Sequence, residues 1–353
     1  TVSVLYWPDT PHCMASTRAS DAPADDAVAQ LQEADREVEA FIELNRNPDA
    51  VTQRDAVRTA VEEFVRRHGA QRRIALVTSG GTVAPLEKQE IRHVTNLSTG
   101  QRGAASAEWF LRHGYAVIYF HKTGCLCPFA RHFQSGAFLD DVKWDPAAPD
   151  AAPTFSDVCA KAMREHRQFV VEGGLLLRVP LHTVVDYQLG MKTILETTRD
   201  TLASMEVSNA RTMVYLVSAV ADFYIPFNEL PKDKIDSRPN DPSMTIHLKK
   251  VPKALARGLV GRLWGDGAFV TTFKLETDES RIDAKVLKHI NGFDNIRLVA
   301  SNLHATIRSE MKLHDTREPM NPVVIRKPES GELEEELVAR VVAKHNEFVE
   351  GRW

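Results

Sequence analysis

The sequence predicts an α/β protein: a doubly wound, mostly parallel, Rossmann-like sheet preceded by an N-terminal helical extension. Three observations carry this expectation. Short runs that are apolar at every position recur along the chain, helix-periodic stretches alternate with them, and polar glycine loops follow the first of them. A run apolar on both faces suits a strand of a parallel sheet covered on both sides. Strands alternating with helices call for right-handed crossovers. The 353 residues suffice for one large α/β domain or two ordinary ones. We divide them into a tail and helical extension, 1–70, and a sheet domain, 71–353, with an insertion at about 124–155.

Residues 1–22 mix Pro, Ser, Thr and Asp without a period and read as an irregular lead-in. Val28, Leu31, Ala34, Val38 and Phe41 then recur at three- and four-residue steps, the apolar stripe of a helix. Asn47-Pro48 breaks it. Val57, Ala60, Val61 and Phe64 mark a second helix, with Gly69 as its stop. Core strands are expected at 74–77, 116–120, 213–220, 268–273 and 296–300. Helices are expected near 101–113, 183–206, 251–264, 280–291 and 332–349. The insertion carries Pro, Gly and Asp without a period.

Composition narrows the function classes. A net charge of −4 argues against a general nucleic-acid binder. Four cysteines (Cys13, Cys125, Cys127, Cys159) are too few and scattered for a disulfide scaffold, so a reducing, cytoplasmic location fits. No apolar run approaches the length of a membrane span. Residues 1–15 lack the basic-then-apolar order of a secretory signal, and whether a trimmed targeting segment precedes Thr1 stays open.

The chemistry-bearing motifs lie where strands end. Thr78-Ser79-Gly80-Gly81-Thr82 closes the first core strand. Adjacent glycines let backbone N–H groups approach an anion, although an ordinary turn would use the same residues. Asn96-Leu97-Ser98-Thr99-Gly100-Gln101-Arg102-Gly103 runs straight into a helix, and a helix N-terminus is a ready anion site. Simple capping by Ser98 or Thr99 is the alternative. Two such loops beside one sheet edge point to phosphate binding. Ser218-Ala219-Val220-Ala221-Asp222 ends another strand with small residues and an acid, which leaves room for a ligand. Lys232, Lys234, Lys249, Lys250 and Lys253 form a lysine-rich stretch; most suit a solvated face, and one near a phosphate site could neutralise charge. Cys125 and Cys127 with His121 and His132 lack the second ligand pair of a zinc site, so no protein-held metal is expected.

Other signatures are missing. There is no G-x-x-x-x-G-K-[ST]. The glycines do not spell G-x-G-x-x-G, and no tyrosine is followed by lysine four residues on. An NAD(P)-dependent Rossmann-fold reductase is therefore the weaker alternative, and a non-catalytic nucleotide-binding assembly protein a third.

Six stretches then occur in order. They are 78–82, 91–103, 219–224, Asp233-Lys234-Ile235, Val251-Pro252-Lys253 and Phe273-Lys274-Leu275-Glu276-Thr277-Asp278. Together they resemble the phosphopantothenate–cysteine ligases, in their eukaryotic, stand-alone form. The resemblance covers the chain from about residue 72 to its end. It implies ligation of 4′-phosphopantothenate to L-cysteine through an acyl-nucleotide, with pyrophosphate release, in coenzyme A biosynthesis. It implies ATP as co-substrate with CTP left open, Mg2+ on the phosphates, and a homodimer with shared active sites. By position it assigns Gly80, Ser98, Gly100, Gly103, Phe273 and Asn302 to the nucleotide. Asn96, Ser218, Ala219 and Asp222 fall to the pantothenate substrate or its acyl-nucleotide. Arg92 would reach that substrate from the neighbouring subunit, and Lys234 would stabilise charge on the acyl-phosphate. Asn96, Lys234 and Arg92 make up the implied catalytic set. Ser218 departs from the family's usual alanine.

Overall fold

The computed structural model describes residues 24–46, 50–133, 142–144, 147, 152–235, 244–252, 264, 267–292 and 295–353. Eight strands form the central sheet: β1 (Ile74–Ser79), β2 (Ala116–Lys122), β3 (Leu176–Leu181), β4 (Thr212–Leu216), β5 (Phe269–Glu276), β6 (Ile296–Leu303), β7 (Glu310–Asp315) and β8 (Val323–Arg326). Their spatial order is β8-β7-β6-β5-β4-β1-β2-β3. The first six pair in parallel, and β7 and β8 extend the β6 edge in antiparallel fashion. Read from the β3 edge the order is 3-2-1-4-5-6, so the winding reverses between β1 and β4. That reversal opens a crevice at the carboxyl ends of the strands.

Helices cover both faces, as the all-apolar strands require. They are α1 (Ala24–Asn45), α2 (Ala50–His68), α3 (Gln101–Arg112), α4 (Asp157–His166), α5 (Val184–Ser204), α6 (Glu279–Asn291) and α7 (Leu333–Val349). Every residue of β1 is buried. Val38, Phe41 and Ile42 of α1 and Val61, Phe64 and Val65 of α2 share one apolar core with the sheet. The Gly69 amide closes α2 on the Val65 carbonyl at 2.7 Å. Helix α5 begins with a full capping box, in which Thr183 and Asp186 each accept from the other's backbone N–H.

Several elements differ from the sequence expectation. Strand β3 was not expected because Arg178 and Pro180 interrupt its apolar pattern. Its place at the sheet edge explains the tolerance, since an edge strand need not donate from every residue. The antiparallel β7 and β8 and the helix α4 were likewise not expected. The strand expected over 213–220 ends at Leu216, and the residues after it turn into the crevice. The stretch 124–155 holds a turn of 3-10 helix at Ala130–His132 and an antiparallel pair, Val142–Lys143 with Thr154–Phe155. The lead-in 1–22, Lys253 and nearly all of the helix expected at 251–264 lie outside the described residues.

A buried ionic cluster pins residues 129–132 to helices α3 and α7. The Glu108 carboxylate, fully buried on α3, accepts from Phe129 N at 2.6 Å, Arg131 Nε at 2.8 Å and Arg131 Nη2 at 2.9 Å. His132 Nε2 lies 3.0 Å away. Arg131 also bonds both carboxylate oxygens of Glu332, at the start of α7. Burial pushes the Glu108 carboxyl up, but the bonds from His132 and Arg131 overcome this and hold it at about 2.

A candidate nucleotide and substrate crevice at the strand switch point

The crevice is assembled from three loops that bond one another. The first follows β1. Gly80 takes φ +83°, a left-handed conformation open to glycine, and its carbonyl accepts from Ala219 N at 2.8 Å. The second loop leads into α3, and the third follows β4. Thr78 Oγ1 accepts from Val217 N and Ser218 N, each at 3.1 Å. Thr82 Oγ1 accepts from Ala221 N at 2.9 Å, and Thr82 N donates to Ala219 O at 3.3 Å. Asn96 Nδ2 donates to Val220 O at 2.9 Å, and Thr95 Oγ1 donates to Thr82 O at 2.9 Å. The two threonines of the first loop therefore hold the third loop against it. Nothing local in the sequence marks that role, because the bonded residues lie 139 or 140 positions apart.

Helix α3 enters the crevice through Gly100, its N-cap, at φ +81° with no side-chain cap. Capping by Ser98 therefore does not occur; Thr99 Oγ1 only accepts from Gln101 N at 3.3 Å. Apart from that of Gln101, the first-turn N–H groups have no carbonyl one turn earlier in the helix and face its N-terminal end, which is turned to the crevice. Gly103 brings α3 against β1. A Cβ there would sit 2.6 Å from Ser79 Cβ, well inside any real contact.

Further along the same rim, Phe273 of β5 packs edge-on against Tyr215 at 5.0 Å. Tyr215 in turn lies 3.1 Å from Ser106 of α3. Asn302, near the carboxyl end of β6, is buried with its Nδ2 unpartnered among the described residues. The Ser218 hydroxyl is in the same state. Gly80, Ser98, Gly100, Gly103, Phe273 and Asn302 thus belong to the loops, helix start and strand ends at the carboxyl side of the sheet, as do Asn96, Ser218, Ala219 and Asp222.

Arg92 and Lys234 stand to one side. Arg92 Nη1 bonds the fully buried Glu87 carboxylate at 3.1 Å and the Ile235 carbonyl at 3.0 Å. Arg92 thereby ties the antiparallel hairpin formed by Val83–Pro85 and His93–Thr95 to the segment carrying Lys234, whose side chain is exposed. Asp222 is exposed, and its carbonyl accepts from Val251 N at 2.9 Å, which brings the Val251-Pro252 motif alongside.

Cys125 approaches the rim differently from a metal ligand. Its Sγ lies 2.9 Å from the Cβ position of Gly100 and 3.3 Å from that of Gly80. Burial, reinforced by Cys127, pushes its thiol up to about 11. Among the described residues no group of three or more His, Cys, Asp or Glu is placed to hold a metal ion. No helix among them is long and apolar enough to cross a membrane.

No protein-family model matches the chain. Individual relatives do. Phosphopantothenate--cysteine ligase 1 of Oryza sativa subsp. japonica is 32% identical over 305 residues, 84% of this chain and 90% of the relative. Phosphopantothenate--cysteine ligase of Homo sapiens is 32% identical over 82% of this chain and 92% of its own length. Among solved structures, a Cab2 mutant in complex with phosphopantothenate-cysteine superposes with a TM-score of 0.77 at 30% identity. That match covers 89% of this chain and 99% of the other.

Proposed function

This chain belongs to the phosphopantothenate–cysteine ligase family, and from that premise we propose that it joins 4′-phosphopantothenate to L-cysteine at the switch-point crevice, driven by a nucleoside triphosphate. A carboxylate is a poor acyl donor because its leaving group would be an oxide. Attack of the carboxylate on the α-phosphorus expels pyrophosphate and creates an acyl-phosphate anhydride. The cysteine amine then attacks the acyl carbon and the nucleoside monophosphate departs with the bonding electrons. The protein's task is to position the reactants and neutralise charge.

The single observation that carries this reading is the mutual bonding of the three loops. It supports the reading by tying the loop that carries Ser218, Ala219 and Asp222 to the first glycine loop and to Asn96, on the loop that leads into α3. Pantothenate chemistry and phosphate binding then share one crevice. Asn302, with its unpartnered donor, suits a nucleotide base or ribose acceptor. Lys234 is the residue we assign to charge on the acyl-phosphate, and Arg92 to the substrate. Magnesium is expected to arrive on the phosphates, keeping most of its waters, which needs no all-protein cage. ATP is the preferred nucleotide of this proposal, with CTP the comparison, and the cytoplasm its compartment.

A homodimer belongs to the same reading. Ile91, Leu97, Phe223, Met244 and Leu248 expose large apolar side chains around the 83–95 hairpin and the short pair of strands Phe223–Tyr224 and Lys249–Lys250, Leu97 being 97% exposed. A second copy covering that face would account for them.

Pyrophosphate release by the purified chain with magnesium and 4′-phosphopantothenate tests the proposal, crossing ATP and CTP with cysteine present or withheld. Cysteine-dependent turnover with either nucleotide supports it and sets the base preference. Silence in all four combinations would leave only the family and the fold.

A further inference from the structure

We propose that Tyr119 is a positioning residue for nucleotide use: its buried hydroxyl locks the two glycine loops together, acting through Ser79 and the Cys125-Leu126 segment. The inference rests on the reading that these loops hold the nucleotide. Nothing in the motifs of the family points to this tyrosine, which lies mid-strand in an apolar run.

Tyr119 is fully buried on β2. A phenylalanine would fill the same space without a polar atom to satisfy, so the hydroxyl needs a reason. Its oxygen lies 2.8 Å from Ser79 Oγ and 2.7 Å from the Leu126 carbonyl, donating a three-centre bond to two separate segments. Ser79 Oγ, thus supplied with a donor, spends its own proton on the Gly100 carbonyl at 3.1 Å. Leu126 N closes the circuit by donating to Thr99 O at 2.9 Å. The first loop, the α3 entry loop and the 125–126 segment are therefore joined by one set of four bonds centred on the tyrosine.

The set bears on the functional geometry. Gly100 is the N-cap of α3 and takes a left-handed conformation, with Cys125 Sγ packed against the position its Cβ would occupy. Gly80, also left-handed, meets the same cysteine. Releasing Ser79 and Leu126 frees a side chain and a segment that set the spacing of Gly80 and Gly100, leaving the Thr95–Thr82 bond as the tie between the outer parts of the two loops. Burial also pushes the Tyr119 hydroxyl far above the ordinary tyrosine range, so it remains a donor.

The test is steady-state pyrophosphate release by the full chain carrying Tyr119→Phe, Ser79→Ala, or both. Losing one buried hydroxyl bond is worth about tenfold. Each single variant is expected to raise KM for the nucleotide about tenfold, with KM for cysteine unchanged. The double variant should fall well short of the product of the two, because both remove the same link. A merely structural role predicts a lower melting temperature with both KM values unmoved, or fully multiplicative effects, and either result overturns the proposal. Ser79→Ala removes a single oxygen and carries the same KM test should Tyr119→Phe fail to fold. An inactive wild type would instead sink the nucleotide-site reading itself, which separates the two failures.

Discussion

Replacing Glu108 by glutamine tests how much the buried ionic cluster contributes, and the structure sets the size of the answer in two ways. The carboxylate is fully buried and is bonded by Phe129 N, Arg131 and His132. Breaking a buried ion pair by removing one partner costs about 3–5 kcal/mol, since it strands the other charge. Independently, a carboxyl held at about 2 against its ordinary 4.5 corresponds to about 3 kcal/mol at 1.36 kcal/mol per pKa unit. The two figures agree. For 353 residues, an unfolding entropy of about 2.1 cal/mol/K per residue makes 1 kcal/mol worth about 1.3 °C. Glu108→Gln is therefore expected to melt about 4–6 °C below wild type at pH 7. The pH dependence has a definite sign. A carboxyl whose folded pKa is depressed contributes fully above its unfolded value near 4.5, and the contribution is lost as pH falls through about 2. Followed by circular dichroism from pH 7 to pH 3, the gap between the two melting temperatures should therefore begin to narrow below about pH 4.5, with full closure reached only towards pH 2. Equal melting temperatures at pH 7, or a gap that stays constant into acid, would refute the argument.

Gly103→Ala puts a Cβ 2.6 Å from Ser79 Cβ. It should cost about 1–3 kcal/mol by overpacking and raise KM for the nucleotide, read by melting and by pyrophosphate release. Asn96→Asp removes the donor to Val220 O and should stall turnover with the fold intact by circular dichroism. Lys234→Gln should lower kcat by orders of magnitude, and a loss under about fivefold removes Lys234 from the reaction. His345 is buried between the Tyr115 hydroxyl and the Ala210 carbonyl, and burial lowers its pKa to about 3. The unfolded chain binds that proton first, so stability should fall as pH drops below about 6.5; His345→Gln should flatten that slope in melts between pH 6.5 and 5.

Much of this architecture is legible in the chain because burial leaves a period. The runs at 74–77, 116–120, 268–273 and 296–300 read as buried strands and are strands; helices α1, α2, α3, α5, α6 and α7 announce themselves by their stripes and stops. Where the pattern is diluted the reading fails for a physical reason. Arg178 and Pro180 disguise β3, which an edge position permits. The run through Val220 looks like one strand because Val217, Ala219 and Val220 are apolar, yet their backbone bonds go to Thr78 Oγ1, to the first loop and to the Asn96 side chain rather than to a strand ladder. The candidate site was read from six motifs in order; the first and third follow strand ends, the second runs into α3, and the last continues along β5 to Glu276. Tyr119 was invisible, since an aromatic inside an apolar run carries no mark of what its hydroxyl reaches.

By itself, the sequence determined the class of fold, the alternation of elements and the position of the glycine loops, all encoded within a few neighbouring residues. Only the tertiary structure decided that β4 lies beside β1, so that Ala219 meets Gly80 and Asn96 meets Val220, a separation of 124 positions. Strand order and loop-to-loop bonds join residues far apart in the chain, and a local pattern of apolar and polar side chains holds no record of them.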